Sequence, residues 1–427
     1  MLLSDDFKNL FAALCSEDAK LKQYSISMIP SENKISPLAS LACGSDFHNR
    51  YYFDCDILWG QDAFPGGRLI REISSKILIP LLMKYTKAEH INVKPLSGLN
   101  CMTMVMLSYC KSDELILTLS TEMGGHYSTY YVAKNLKINC NTIPYIDSYS
   151  IDYERFARQL KSEKTKLVYI DQANCLFPLD VQKISKVIKE ASPDTFLHVD
   201  TSHTNGLIFG QVLENPLDNG ADSFGGSTHK TFPGPQKAFF ATSNQIIANQ
   251  FDIISMHMVS NCHTASVMAL CIALMEFDQC GGNQYALQIM KNAKTFANAL
   301  YAEGIVPHAQ EKGFTGCHQI WIDPKEFGDP KSAAEFLQKS GVFINVFPSL
   351  PGIKDVAFRM GLNEPTRLGM QEDDIAILAS VFVSAFKDKN YDNARRKIIE
   401  LCKTHSKPAY CYDLTTFNSA SIFESIY

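Results

Sequence analysis

No run of about 20 apolar residues occurs in this 427-residue chain, so no helical membrane span is expected. An excess of basic charge is also missing. Lys and Arg number 40 against 45 Asp and Glu, for a net charge of −5, and no Lys/Arg stripe interleaves with aromatics, which argues against nucleic acid as a partner. The thirteen cysteines form no C-x-x-C pair. Scattered singly and odd in number, they argue against a disulfide framework or a zinc site and for reduced thiols in the cytoplasm. Met1-Leu2-Leu3-Ser4-Asp5-Asp6 has no basic region leading into an apolar stretch, so no secretory leader is expected there. Internal repeats, low-complexity tracts and Gly/Ser linkers are lacking too.

What is present is ordinary globular composition, 46% hydrophobic and 20% charged, in a chain too long for one small domain. Short β-rich runs alternate with helical stretches through its middle, which predicts an α/β fold with a mostly parallel sheet flanked by helices. The strand candidates are Glu114–Thr118, Lys166–Asp171, Thr195–Asp200, Ser223–Phe224 and Ala238–Thr242, with helices over Asp152–Lys161 and Val181–Glu190. Residues 1–60 read as an N-terminal arm, 61–285 as the large α/β domain and 286–427 as a smaller C-terminal α+β domain. In the last, Cys317–Ile322 and Val342–Asn345 read as strands, with helices over Ala333–Lys339 and from Glu372. The tail after Lys407 carries no legible motif.

Two segments carry chemistry. Phe196-Leu197-His198-Val199-Asp200 is an apolar run closed by a carboxylate and followed by Thr201-Ser202-His203, and Gly225-Gly226-Ser227-Thr228-His229-Lys230-Thr231 sets a lysine among small and hydroxyl residues. Such a lysine can form a Schiff base with an aldehyde cofactor, and such an aspartate can keep a pyridine nitrogen protonated. Singly, an aspartate ending a strand is often a helix cap and a loop lysine a solvated charge. In this order, with His203 three residues after Asp200 and His229 beside Lys230, they point to pyridoxal 5′-phosphate held covalently on Lys230. Asp171 also falls at the carboxyl end of a strand candidate, where ligands of open α/β sheets sit.

Ser97-Gly98-Leu99-Asn100 follows Pro95 and precedes the apolar stretch Met102–Tyr109. It reads as a turn opening a helix, whose free N–H groups and dipole attract a phosphate. Alone, the same four residues read as an ordinary capped helix. Arg359, within Ala357-Phe358-Arg359-Met360-Gly361-Leu362, matches a substrate α-carboxylate with its bidentate fork. A surface salt bridge is the alternative, and the apolar neighbours argue against it. Arg367 reads as more exposed and structural.

Taken in order, these motifs resemble serine hydroxymethyltransferase and its relatives among the fold-type I pyridoxal phosphate enzymes. Ile29-Pro30-Ser31-Glu32-Asn33 is similar to that family's Ala-Ser-Glu-Asn segment, and Lys94–Gly98, Gly124-Gly125-His126, Asp200–His203, Ser227–Lys230 and Phe358–Gly361 follow in the family's sequence. The resemblance implies that His126 stacks on the pyridine ring, that His203 lies near the phenolic oxygen, and that Ser97, Gly98, Leu99, Asn100 and Thr228 complete the cofactor site. It further implies catalytic roles for Lys230, Asp200, His126 and His229, a substrate pocket lined by Ser31, Tyr51 and Arg359, and a homodimer in which Tyr51 serves the second subunit.

The chain also departs from that family. Asn49-Arg50-Tyr51 is followed by Tyr52-Phe53-Asp54, so Phe53 stands where a proton-handling glutamate belongs, with Asp54 and Asp56 out of register. Phe64-Pro65-Gly66-Gly67 replaces Tyr-Tyr-Gly-Gly, Gln236 replaces an arginine, and Phe347 replaces a folate-contacting asparagine. The Gly-Gly pair that receives the partner subunit's phosphate is absent near Ser260–Thr264. The expected activity is therefore the one seen in threonine transaldolases. A β-hydroxy-α-amino acid is cleaved through a glycyl quinonoid, with His126 or His229 as base, and the quinonoid is captured by an aldehyde without folate. Alternatives are tetrahydrofolate-dependent serine/glycine hydroxymethyl transfer, an aminotransferase or racemase that moves the α-proton, and a catalytically silent cofactor-binding protein.

Overall fold

Strand and helix alternate in the larger part of the chain because fully apolar runs alternate with one-sided ones. The computed structural model describes residues 4–51 and 64–414. It divides into two units: one holds Asn33–Leu287 with Leu350–Gly352 and the tail from Tyr410, the other residues 4–32, Gln288–Ser349 and Ile353–Ala409.

In the larger unit, seven strands form one sheet: β1 (His90–Asn92), β2 (Leu115–Thr118), β3 (Asn139–Thr142), β4 (Thr165–Asp171), β5 (Phe196–Asp200), β6 (Ser223–Ser227) and β7 (Ala238–Thr242), in the order β1-β7-β6-β5-β4-β2-β3. Strands β6, β5, β4, β2 and β3 pair in parallel, while β7 runs antiparallel to β6 and β1. Every residue of β6 and β7 is buried, and six of seven in β4, as a sheet covered on both faces requires. Helices α1 (Gly98–Tyr109), α2 (Ser128–Asn135), α3 (Tyr153–Ser162) and α4 (Val181–Ala191) lie between strands. Asp152 and Asp180 cap α3 and α4 by accepting the amides of Arg155 and Lys183, and each helix buries one stripe, Phe156 with Leu160 and Ile184 with Ile188. Full burial of each such side chain contributes about 1.5–3 kcal/mol. The elements expected from sequence are present, most displaced by a residue or two at their ends. Two differ more: β6 extends to Ser227, and α1 begins at Gly98.

The smaller unit holds a three-stranded antiparallel sheet in which Ala357–Gly361 lies between Gln319–Ile322 and Asn345–Phe347. Helices Pro330–Ser340, Glu372–Phe386 and Tyr391–Thr404 accompany it, around a core that includes Ile26, Met28, Phe296, Leu337, Phe358 and Phe382. The stretch predicted as an arm over residues 1–60 is divided between the units. Ile26 and Ser27 pair in parallel with Val342 and Phe343, a contact across more than half the chain that no local pattern announces. Arg367 is only 2% exposed, not the exposed residue expected. Every residue of its short helix, Asn363–Arg367, is buried, and its guanidinium donates to the carbonyl of Ala409 at 2.7 Å.

Candidate active site

The carboxyl ends of β4, β5 and β6 converge on a cleft lined by Gly98, Leu99, Met102, His126, Asp171–Ala173, Asp200, Ser202, His203, Ser227 and Lys230. A wider groove opens at the opposite ends of β2, β3 and β4, but it is lined by mixed charges, including Lys134, Lys137, Asp113 and Glu163, without a converging reactive group.

Asp200 ends β5 opposite Asp171 of β4 and Gly225 of β6. Its Oδ1 accepts the amide of Ser202 at 2.9 Å and its Oδ2 the hydroxyl of Tyr169 at 3.0 Å. Burial pushes the Tyr169 phenol well above its ordinary pKa, so it stays a donor to that carboxylate. The Ser202 hydroxyl accepts the amide of Ser227 at 2.8 Å and thereby joins the two motifs.

The loop carrying Lys230 is fixed from several sides. Asn33 donates to the Lys230 carbonyl at 2.5 Å and to the Tyr285 hydroxyl at 2.9 Å, while the Thr231 hydroxyl donates to the His203 carbonyl at 2.9 Å. Thr228 does not line the cleft. Its hydroxyl donates to the Pro235 carbonyl at 2.8 Å, which shapes the loop. His229 is displaced from the lining as well: its buried Nδ1 has no hydrogen-bond partner among the described residues, and burial together with the Lys230 charge lowers its pKa to about 4.

Ser97 caps α1 by accepting the Asn100 amide at 3.2 Å, and Asn100 returns its Oδ1 to the Leu96 amide at 3.0 Å. The Asn100 carbonyl oxygen thus holds the turn. Gly98 and Leu99, in the first turn of α1, line the cleft, and the N–H groups of a helix's first turn stabilise an anion. A Cβ on Gly98 would lie 2.3 Å from Ser227 Oγ, so any larger residue there forces the Ser227 side chain or the turn to shift.

His126 follows Gly124, at φ +86°, and Gly125. A Cβ on Gly124 would lie 2.0 Å from the Asn174 carbonyl oxygen. The His126 Nδ1 accepts the amide of Ser128 at 3.1 Å, so the neutral ring carries its proton on Nε2, a tautomer assigned from that bond.

Among the substrate-pocket candidates, Tyr51 is 48% exposed and stacks on Phe64 with ring centroids 5.6 Å apart. Ser31 and Arg359 belong to the smaller unit, Ser31 in a turn with Pro30. There Arg359 is 6% exposed. Its Nε and Nη2 donate to Asn345 Oδ1 at 3.2 and 2.9 Å, its guanidinium carbon lies 4.6 Å from the centre of the Phe347 ring, and burial lowers its pKa to about 10. Phe53, Asp54 and Asp56 lie outside the described residues.

Sequence reasoning left Asp171, Ser202, Ser227 and Asn33 out of the site. Asp171 gave a chemical signal, a carboxylate at a strand's end, while Asn33, Ser202 and Ser227 stood within quoted motifs without a role of their own. Together the residues fit pyridoxal phosphate: a carboxylate steadied by Tyr169 and Ser202 for the ring nitrogen, a lysine in the cleft lining, and the first turn of a helix for the phosphate.

The serine hydroxymethyltransferase family profile matches residues 3–382. An L-threonine:uridine-5′-aldehyde transaldolase of Amycolatopsis sp is 34% identical over 383 residues, covering 89% of this chain and 92% of that protein. A serine hydroxymethyltransferase of Archaeoglobus fulgidus is 30% identical over 403 residues, covering 92% and 90%. The crystal structure of L-threonine transaldolase from Pseudomonas fluorescens in its internal aldimine state superimposes with a TM-score of 0.88 at 25% identity, covering 99% of this chain and 98% of that one. The chain belongs to the serine hydroxymethyltransferase family and is a fold-type I, pyridoxal phosphate-dependent enzyme.

Proposed function

From that membership we propose a folate-independent transaldolase acting on a β-hydroxy-α-amino acid of the threonine type. Bound pyridoxal phosphate, held by Lys230, supplies the sink for the electron pair left at the α-carbon. Asp200, steadied by Tyr169 and Ser202, holds the proton on the ring nitrogen, and the amides of Gly98 and Leu99 bind the phosphate. Arg359 grips the α-carboxylate. In the cleavage direction the hydroxyl proton passes to solvent water, the Cα–Cβ bond breaks with its electron pair left at Cα, and Cβ departs as the aldehyde carbon. A second aldehyde then takes the electron pair at Cα to form the new Cα–Cβ bond, and its oxygen takes up a proton from water, with His126 Nε2–H donating to that oxygen.

The geometry narrows what the histidines do. His229, with a pKa of about 4, is a poor base near neutrality. His126 presents Nε2–H, because Nδ1 is engaged by Ser128, and so acts as a donor to the substrate oxygen. On this reading neither imidazole is the general base expected from sequence, and His126 serves as a donor instead.

The observation that carries the choice over folate-dependent transfer is Phe347. Its ring lies under the Arg359 guanidinium, so the position where folate users are expected to carry an asparagine here backs the carboxylate-binding arginine. Similarity to a uridine-5′-aldehyde transaldolase supports the same reading. Exposed, stacked Tyr51 and Phe64 fit a homodimer with shared sites, and thirteen cysteines scattered without a C-x-x-C pair fit the cytoplasm. Among those residues no helix is long and apolar enough to cross a membrane. The test is incubation with threonine in folate-free buffer: acetaldehyde should appear, an added aromatic aldehyde should yield a new β-hydroxy amino acid, and borohydride should fix the cofactor on Lys230. Efficient serine-to-glycine conversion only with tetrahydrofolate would establish the hydroxymethyltransferase reading instead.

A further inference from the structure

Asp171 lies in the cleft with no part in the chemistry above. It ends β4, is 3% exposed, and stands opposite Asp200 in the parallel pair β4/β5. Its Oδ2 accepts the backbone amide of His126 at 3.3 Å and the hydroxyl of Thr129, in the first turn of α2; its Oδ1 accepts the hydroxyl of Thr118, at the end of β2, at 3.3 Å. One buried carboxyl therefore ties a strand end, a helix start and the amide of the ring-stacking histidine. The backbone reinforces the same junction, since the Asn174 amide donates to the Gly124 carbonyl at 3.0 Å and Gly125 bridges to Gln172.

We propose that Asp171 is the positioning residue for His126, the clasp between its loop and β4 that sets the imidazole over the cofactor ring. This rests on the reading, made above, that His126 covers that ring. A second account is that Asp171 acts by charge on its neighbour Asp200. Burial, followed by the Asp200 charge, raises the Asp171 pKa well above the usual carboxylate range despite the Thr129 hydrogen bond, which favours the uncharged form. An uncharged carboxyl is mimicked by asparagine: Oδ1 of the amide can still accept from His126 and Thr129, and its NH₂ can donate to the Thr118 hydroxyl.

The experiment titrates apoprotein with pyridoxal phosphate, reading affinity from visible absorbance and ring orientation from the circular dichroism of the bound cofactor. Asp171→Ala should weaken binding about 2–10-fold, the loss of about one net hydrogen bond's worth of positioning, and alter the dichroism. Asp171→Asn should stay within about twofold of wild type, because each bond has a replacement. In a His126→Ala background, Asp171→Ala should add nothing, as expected of a residue acting through another. An equal loss in both backgrounds, or an Asn variant as impaired as Ala, overturns the inference. If Asp171→Ala fails to fold, Thr129→Val tests the same clasp in both backgrounds, with the same two outcomes decisive. If His126→Ala leaves affinity and dichroism unchanged, the placement of His126 over the ring has failed, and the inference falls with it.

Discussion

Arg359→Lys keeps the charge at the proposed carboxylate site and removes the fork. The side chain is almost fully buried, two of its nitrogens share Asn345 Oδ1, and Phe347 backs its plane. Those contacts fix the guanidinium's orientation before substrate arrives. A lysine ammonium reaches neither the Asn345 geometry nor a second carboxylate oxygen. One charge-assisted hydrogen bond lost is about 1.5–3 kcal/mol, or roughly 10–100-fold in an equilibrium constant. The bond to the carboxylate is present in ground and transition states alike, so the loss should fall on KM for threonine and leave kcat within about threefold. Phe347→Leu should show a weaker form of the same effect, about 0.5–1 kcal/mol from the lost cation–π contact. Steady-state acetaldehyde release over a range of threonine concentrations measures both. A KM within about twofold of wild type for Arg359→Lys, smaller than any lost charged bond allows, would show that the carboxylate is held elsewhere.

Two other outcomes follow from the larger unit. Burial lowers His198 and His229 to about 4, so each binds fewer protons folded than unfolded; their contribution is complete above the unfolded value of about 6.5 and is lost as pH falls toward 4, at most about 3 kcal/mol each. Denaturant unfolding of the apoprotein between pH 7 and 4.5 should show that decline, and a slope in His229→Gln unchanged from wild type would remove His229 from it. Gly98→Ala should weaken cofactor binding about tenfold or more, because a Cβ only 2.3 Å from Ser227 Oγ forces the first turn of α1 away from the phosphate, at a cost of about 1–3 kcal/mol; affinity equal to wild type would mean that the phosphate binds elsewhere.

How legible the molecule was depends on how far apart its partners lie in the chain. Strands β4 and β5 and helices α3 and α4 announce themselves because apolar period and capping residues are local. Asp200 and Lys230 could be paired from sequence because each closes or follows a strand of one parallel sheet, where the carboxyl ends must meet. Asn33 gave no chemical signal of its own, since its role is to hold a carbonyl 197 residues away. Asp171 was visible as a strand-end carboxylate but not as the acceptor for His126, because that requires knowing that a loop after β2 folds against β4. Ile26 and Ser27 were assigned to an arm for the same reason. Protonation was the least legible. His229 reads as a catalytic base beside Lys230, and only the structure shows that burial, with the Lys230 charge second, keeps its imidazole neutral.

Phe347 shows why a substitution read as a loss can also be a gain. In sequence it registers only as a missing asparagine, an argument against a pterin and nothing more. In the antiparallel pair, Asn345 lies directly opposite Arg359 and Phe347 two residues further along the same strand, the diagonal distance at which an aromatic ring reaches a long side chain on one face. The pair therefore grips Arg359 by an edge contact through Asn345 and a face contact through Phe347, and both act before any substrate binds. An asparagine at 347 could accept a hydrogen bond from the guanidinium but could not back its plane, so the fork would lose orientation. If Arg359 grips the α-carboxylate as proposed, the residue that withholds a hydrogen bond from folate is also the one that backs the guanidinium's plane. An enzyme that must retain its glycine fragment while one aldehyde leaves and another arrives depends on that hold more than one that releases its products after a single transfer.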